Sequence, residues 1–180
     1  MSITTMTELD AINDMLEAIY ESPVNSLNSD LVEATDALRL LRKTSRSVQK
    51  KGYPFNTYKS HTLEPDINGL INLPSNTLKV DTTGVDKARD VVMVGKKLVD
   101  RDNNNTSKFA TSLTVELVLG LDFEDLPIAA QEAITKKACR LFQQAKLGSI
   151  DQGRVDAADE EMAMAELEDA EGESADYNIL

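Results

Sequence analysis

The stretch from Leu121 to Gly148 restricts the fold more than any other part of the sequence. It begins with an acidic cluster followed by Pro127, and both carboxylates and proline are favoured in the first turn of a helix. Gly148 is suited to end such a helix in a left-handed conformation. The stretch therefore predicts a structural helix of about six turns at 3.6 residues per turn. Its apolar residues recur at steps of four, three and four, which places them on one face: Ile134, Ala138, Leu141 and Ala145.

Two helices are predicted upstream. The first begins at Thr7, which forms a capping-box pattern with Asp10, and it ends at Pro23 because proline cannot continue the helical hydrogen bonds. Its predicted inner face consists of Leu9, Ile12, Leu16 and Ile19. The second runs from about Asp30 to Lys51, and a short connection favours antiparallel packing of the pair. Its heptad stripe consists of Leu31, Ala34, Leu38, Leu41, Ser45 and Val48.

The hydrophobic period changes between residues 53 and 121. Residues 55–63 alternate and are rich in β-formers, which predicts a strand. A short strand is predicted near 78–80, and Gly95-Lys96 supplies the turn of a hairpin between 91–94 and 97–99. Residues 113–121 form the clearest strand pattern. The sequence therefore predicts a small antiparallel β lobe inserted between helices two and three.

A fourth helix is predicted from Asp151 to about Ala170. Its expected inner face is weakly apolar and consists of Val155, Ala158, Met162, Ala165 and Asp169. The predicted fold class is thus α+β: an antiparallel helical bundle with the inserted β lobe, an extended C-terminal helix and a tail. The predicted domains are a helical domain (1–52 and 122–170), the β lobe (53–121) and a C-terminal docking tail (171–180).

Charge is distributed unevenly along the chain. Residues 1–38 hold eight acidic residues and no Lys or Arg, whereas residues 39–51 hold six basic residues and no acid. Residues 151–180 hold eleven acids and one arginine, so they carry a net charge of −10 out of −12 for the whole chain. The remaining body is close to neutral. This balance argues against a general nucleic-acid-binding protein, which needs clustered positive charge.

The composition indicates a reducing compartment and no membrane insertion. Cys139 is the sole cysteine, so no intrachain disulfide forms, and a buried, inert thiol is the expected state. No apolar run approaches the length that spans a bilayer, and the first ten residues do not resemble a secretory signal. We expect a protein made in the cytoplasm.

The sequence offers no constellation that predicts catalysis, a cofactor or a metal site. It has no Gly-rich phosphate loop, no spaced Cys/His set and no nucleophile elbow. His61 has no second histidine or cysteine for a metal site, so a structural or exposed role is expected. Asp122, Glu124 and Asp125 could imitate the paired carboxylates of a glycosidase. Their place at a helix start gives the simpler explanation.

The basic run in the second helix has two interpretations. It could contact DNA phosphates, or it could be a solvated or subunit-pairing face that answers acidic surfaces elsewhere. The second interpretation is favoured because the rest of the chain is acidic. The candidate subunit-pairing residues are Arg39, Arg42, Lys43 and Arg46.

Several long segments are similar to a known family. Residues 8–27, 50–66, 91–102 and 113–142 occur in an order and spacing that resemble tail tubular protein A, the family of head-to-tail adaptors, or gatekeepers, of short-tailed podovirus phages. LDFEDLP followed by KKACRLF is the most specific part, and the ending DYNIL also matches. The family often has Gly where Tyr20 stands and Trp where Tyr53 stands. Those departures alter the end of the first helix and reduce an aromatic anchor.

The resemblance implies a non-enzymatic ring protein of the virion tail, usually of twelve copies. It implies that the ring lies beneath the portal protein, joins the nozzle (tubular protein B) on its far side, surrounds the DNA channel without reading sequence, and lies near the tail-fibre bases. No cofactor is implied. With an acidic segment ending in apolar groups, the tail is expected to bind the portal through Tyr177, Asn178, Ile179 and Leu180. The alternatives are a tail-associated glycan hydrolase and a regulatory protein- or DNA-binding module.

Overall fold

The structure, a computed structural model, describes the backbone of residues 5–148 and 152–176 and the side chains of residues 5–148 and 157–172. These residues contain four α-helices and two small antiparallel sheets, so the α+β class that the sequence predicts is present. The chain divides into two compact units. The helical unit contains Met1–Val48 and Asp122–Leu180, and the β unit contains Gln49–Leu121.

The first helix, α1 (Glu8–Glu17), begins as predicted and ends earlier. Thr7 and Asp10 form the complete capping box, in which each side chain accepts a hydrogen bond from the backbone N–H of the other. The helix ends at Glu17 instead of continuing to Pro23. Tyr20 adopts a left-handed conformation with φ 63°, which reverses the chain after the last turn.

Helices α2 (Val32–Gln49) and α3 (Ile128–Leu147) supply most of the core of the helical unit. Gly148 ends α3 with φ 63°, as predicted. Of the predicted stripe on α3, Leu141 is only half-buried and Ala145 is exposed. Residues outside the predicted stripes, several of them alanines, are also buried in the core. The buried residues of the two helices include Ala34, Ala37, Leu41, Thr44, Val48, Ala130, Ala133, Ile134, Ala138 and Phe142.

The acidic cluster before α3 does not lie in its first turn. Phe123–Asp125 form a separate 3₁₀ turn, and α3 starts only at Ile128, with no acidic residue in its first turn. The expected dipole role toward α3 is therefore wrong. Instead, the Glu124 carboxylate accepts a hydrogen bond of 3.0 Å from the backbone N–H of Glu8, in the first turn of α1. The Glu124 carboxylate therefore makes its favourable contact with a free N–H group at the N-terminus of α1 and not at that of α3.

Helix α4 (Gln152–Asp176) extends six residues beyond the predicted end at Ala170, and Asp151 lies outside the described residues. Its predicted inner face is wrong. Met162 and Asp169 are exposed, whereas Glu160, Leu167 and Glu171 are buried. Ala158 and Ala165 are also exposed, and the side chain of Val155 is not described. The physical reason is that Glu160 finds cationic partners on α3, which makes an inward-facing carboxylate stable.

A buried glutamine ties the segment before α1 to α3. Gln131 is fully buried, and its side chain accepts a hydrogen bond from the Met6 N–H at 3.2 Å and donates to the Met6 carbonyl at 3.1 Å. It also donates to the Phe123 carbonyl at 2.8 Å. One side chain therefore satisfies backbone groups of two irregular segments, which would otherwise be costly to bury.

The strands of the β unit are β1 (Thr57–Leu63), β2 (Thr77–Thr82), β3 (Val91–Val94), β4 (Lys97–Asp100) and β5 (Leu113–Leu119). They form a three-stranded sheet with the order β1-β5-β2 and a two-stranded sheet of β3 and β4. The hairpin turn at Gly95 has φ 64°, as predicted. Residues 102–105 form an exposed loop. The alternation predicted over 55–63 is interrupted, because Pro54–Asn56 form a 3₁₀ turn and a register shift falls between Tyr58 and His61, where Ser60 has φ 56°.

A buried polar cluster joins the two ends of the β unit. The Gln49 side chain is 1% exposed, and it donates to the Leu121 carbonyl at 3.0 Å and accepts from the Leu121 N–H at 2.8 Å. Asn56 is fully buried, and its amide donates to the carbonyls of Gln49 and Leu119 at 3.0 and 2.9 Å. The chain enters the β unit at Gln49 and leaves it at Leu121, so the cluster fixes both connections.

Candidate functional site

The predicted subunit-pairing residues lie on the side of α2 opposite its buried face. At 100° per residue, Arg39, Lys43 and Arg46 fall within about 60° of one another. The buried residues Ala37, Leu41 and Val48 project in the opposite direction. All four predicted residues, Arg39, Arg42, Lys43 and Arg46, are exposed in the structure. We call Arg39, Lys43 and Arg46 the basic stripe of α2.

Arg42 makes an ion pair inside the helical unit. Its guanidinium donates two hydrogen bonds to the Glu8 carboxylate, at 2.9 and 2.7 Å, and these bonds raise the pKa of Arg42 above its ordinary value. Arg39 binds Asp36 at 3.1 Å, but its side chain remains 80% exposed. Arg42 therefore links α1 to α2. The basic stripe remains available at the surface.

Asp36 connects α2 to the end of α3. Lys146 donates to the Asp36 carboxylate at 2.9 Å, and this bond, together with the one from Arg39, lowers the pKa of Asp36. Lys43 and Arg46 have no hydrogen-bond or ion-pair partner within the part of the chain that the structure describes. Both side chains are exposed, so their positive charges face solvent.

On α4, one buried carboxylate is held by two cations. Glu160 accepts a hydrogen bond of 2.8 Å from Lys137 and another from Arg140, both on α3. Burial by itself raises the pKa of Glu160, but the hydrogen bonds from Arg140 and Lys137 outweigh it, so the pKa lies below the ordinary value. The sequence contained a signal for this face: Leu167, the largest aliphatic residue of α4, comes seven residues after Glu160 and therefore shares its side of the helix.

A groove lies between α1, α3 and α4. Its volume is about 450 Å³, and the side chains that matter for its charge and apolar surface are Asp14, Glu132, Lys136, Asp159, Met162 and Glu166. Four of these carry negative charge and one carries positive charge. Burial raises the pKa of Asp14, and the neighbouring carboxylates of Glu17 and Asp10 raise it further, against the effect of Lys136. The groove therefore has an excess of carboxylates over cations.

The flank of α4 beside this groove carries a second charged stripe. Asp159, Glu166 and Asp169 are exposed, and Met162 between them is 65% exposed. Within the described residues, none of the three carboxylates makes a hydrogen bond or an ion pair. We call Asp159, Glu166 and Asp169 the acidic stripe of α4. The sequence pattern does not reveal this stripe, because it predicts Met162 and Asp169 on the inner face of the helix.

The other residues considered from sequence do not form a site together. His61 is exposed on β1, and Cys139 is half-buried on α3 at the edge of a neighbouring cleft of about 400 Å³. Asp122, Glu124 and Asp125 lie around a 3₁₀ turn that caps α1. Among the residues that the structure describes, no group of three or more His, Cys, Asp or Glu side chains could hold a metal ion. The predicted portal-binding residues, Tyr177, Asn178, Ile179 and Leu180, lie outside the described residues.

Comparison with known proteins identifies the class. A family model described as "Tail tubular protein" matches residues 9–177, which include every described helix and strand almost from end to end. The chain belongs to the tail tubular protein family. It is also 34% identical, over 128 residues, to tail tubular protein A of Klebsiella phage KP34.

That alignment covers 68% of this chain and 63% of the Klebsiella phage protein. The chain is thus a structural protein of a phage virion tail, as the sequence resemblance implies. None of its helices, over the residues that the structure describes, has the length and hydrophobicity to span a bilayer.

Proposed function

We propose that this tail tubular protein is a head-to-tail adaptor, which forms a ring of twelve copies. In this proposal the ring joins the portal protein to the nozzle protein, surrounds the channel through which phage DNA passes, and helps to seat the tail fibres. It contacts the DNA without reading its sequence, and it is made in the cytoplasm of the host bacterium. The observation that carries the proposal is the match to the tail tubular family over residues 9–177.

The proposal assigns no enzymatic activity and no cofactor to the chain. One of the carboxylates that could have served a glycan hydrolase has a structural explanation, since Glu124 accepts a hydrogen bond of 3.0 Å from the N–H of Glu8. The polar groups at the core of each unit are likewise used to hold irregular backbone, as Gln131 and Gln49 do. Polar side chains that bind the protein's own backbone in this way are used to stabilise the fold, which supports an assembly role.

We propose that three parts of the chain have separate roles. The helical domain (1–52 and 122–170) builds the body of the ring, the β lobe (53–121) is inserted into it, and the tail (171–180) docks on a neighbouring component. Within the tail, Tyr177, Asn178, Ile179 and Leu180 bind the portal. An apolar cluster after a strongly acidic helix supports this, because the helix repels itself and the cluster gains by burial on a partner.

Co-sedimentation with portal rings tests this function. We expect the wild-type chain to sediment with the portal, and deletion of Tyr177–Leu180 to leave the body folded but abolish stable attachment. The double variant Ile179→Ser/Leu180→Ser should behave like the deletion. Ser174→Ala is the matched control, because it changes the same tail at a residue outside the proposed portal-binding group. Failure of wild type to bind the portal contradicts the adaptor, and binding by the deletion variant contradicts the role of the tail alone.

A further inference from the structure

Helices α2 and α4 contact α3 from opposite sides. Lys146 of α3 binds Asp36 of α2, whereas Lys137 of α3 binds Glu160 of α4. Lys137 and Lys146 are nine residues apart, which is two and a half turns at about 3.6 residues per turn. Their side chains therefore leave α3 in opposite directions. As a result, α2 and α4 form two separate surfaces of the helical unit.

These two surfaces carry opposite charge. The basic stripe of α2 consists of exposed cations, and the acidic stripe of α4 consists of exposed carboxylates beside the groove. Arg39 and Arg46 are seven residues apart, as are Asp159 and Glu166, so each pair spans about 10.5 Å at a rise of 1.5 Å per residue. Two helices with these stripes can therefore place Arg39 and Arg46 against Asp159 and Glu166, two cations against two carboxylates.

We propose that the basic stripe of α2 in one copy of the chain docks on the acidic stripe and groove of α4 in the next copy. This inference rests on the proposed ring and assigns its subunit interface to named residues. The contact is heterologous, because each copy uses one surface to bind forward and a different one to bind backward. Contacts of that kind generate closed rings when the rotation between copies closes.

The chemistry of both surfaces suits this contact. Arginine presents a planar set of donors that can bind a carboxylate with two hydrogen bonds. Met162 is 65% exposed between Asp159 and Glu166, so it offers an apolar centre against which the long arginine stems can pack. The groove has one lysine against four acids among its charged side chains, so an incoming cation lowers its charge imbalance. Opposed patches also fix the register and make the encounter sensitive to salt.

Charge reversal tests the interface by measuring particle mass and shape. The first variant is Arg39→Glu/Lys43→Glu/Arg46→Glu, and the second is Asp159→Lys/Glu166→Lys/Asp169→Lys. Each variant has the same sign of charge on both surfaces, so each alone should remain monomeric where wild type forms rings. A one-to-one mixture should restore rings with alternating copies, because every contact in them again joins opposite charges.

The mixture also shows that both variants are folded, since unfolded chains cannot assemble. A matched control reverses three exposed lysines of the β unit, Lys79→Glu/Lys87→Glu/Lys96→Glu, and should assemble like wild type. If wild type forms rings and both reversed variants form them equally well, the interface assignment is overturned while the adaptor stands. Two monomeric variants that give no rings when mixed also overturn it. If wild type itself stays monomeric at every concentration, both alone and with the portal present, the ring is overturned.

Discussion

Replacing Gln49 by leucine is expected to weaken the β unit selectively. Leucine fills nearly the same volume, so the change mainly removes two hydrogen bonds, of 2.8 and 3.0 Å, between the Gln49 side chain and the Leu121 backbone. A buried group left without its partner costs about 1–3 kcal/mol. Leu121 is half-buried, so water satisfies part of the loss. We therefore expect the free energy of unfolding to fall by about 2–4 kcal/mol.

Denaturant unfolding combined with hydrogen exchange measures this effect. Because the chain has two units, the midpoint should be followed together with amide protection in β1 and β5, which lie in the β unit. Protection there should fall, and protection in α3 should stay unchanged. Gln144→Leu, at an exposed glutamine of α3, is the control and should change the free energy by less than about 0.5 kcal/mol. A Gln49→Leu variant that matches this control would refute the reasoning.

Two further predictions concern the helical unit. Leu41 is 1% exposed, so Leu41→Ala should cost about 2–5 kcal/mol in denaturant unfolding, and a loss similar to that of the exposed Leu147→Ala would contradict its core position. Because Lys137 and Arg140 hold the pKa of Glu160 below its ordinary value of 4.5, the stability gained from this contact is full above that value and is lost as pH falls through the lowered pKa. Acid titration of unfolding should therefore show a weaker pH dependence in Glu160→Gln than in wild type, and identical profiles would exclude the contact.

Features encoded by neighbouring residues could be predicted from the sequence. The Thr7–Asp10 capping box, the left-handed Gly148 and the hairpin at Gly95 all appear as expected. Each depends on a few consecutive residues and on backbone conformations that particular side chains favour. The long apolar strand near 113–121 was also clear, and it forms the centre of the three-stranded sheet.

Features that depend on distant partners could not be predicted in the same way. From the sequence alone, Glu160 resembles a surface residue, because its partners Lys137 and Arg140 lie on another helix. Its burial places a different set of α4 residues on the inner face than the sequence predicts. Glu124 caps α1, from which it is separated by more than a hundred residues. Gln49 lies at the end of α2, and its neighbours in the sequence do not indicate its partner, Leu121, at the opposite end of the β unit.

The same limit applies to the candidate surfaces. The basic run of α2 is visible in the sequence, but the sequence does not show that Arg42 is used by Glu8 while Lys43 and Arg46 remain without partners among the described residues. The acidic stripe of α4 required the correct helix orientation. Once Leu167 and Glu160 are seen to face inward, Asp159, Glu166 and Asp169 must face the surface. The orientation of the helix therefore determines which acidic residues of this segment form the exposed stripe.

The mass and shape of the purified protein test the central claim most directly. Native mass spectrometry, paired with electron microscopy of the same sample, should give particles of twelve times the 19.8 kDa chain, seen as closed rings with a central opening. Adding portal protein should place these rings at one face of the portal. Particles that remain at 19.8 kDa, both alone and with the portal present, would contradict the account.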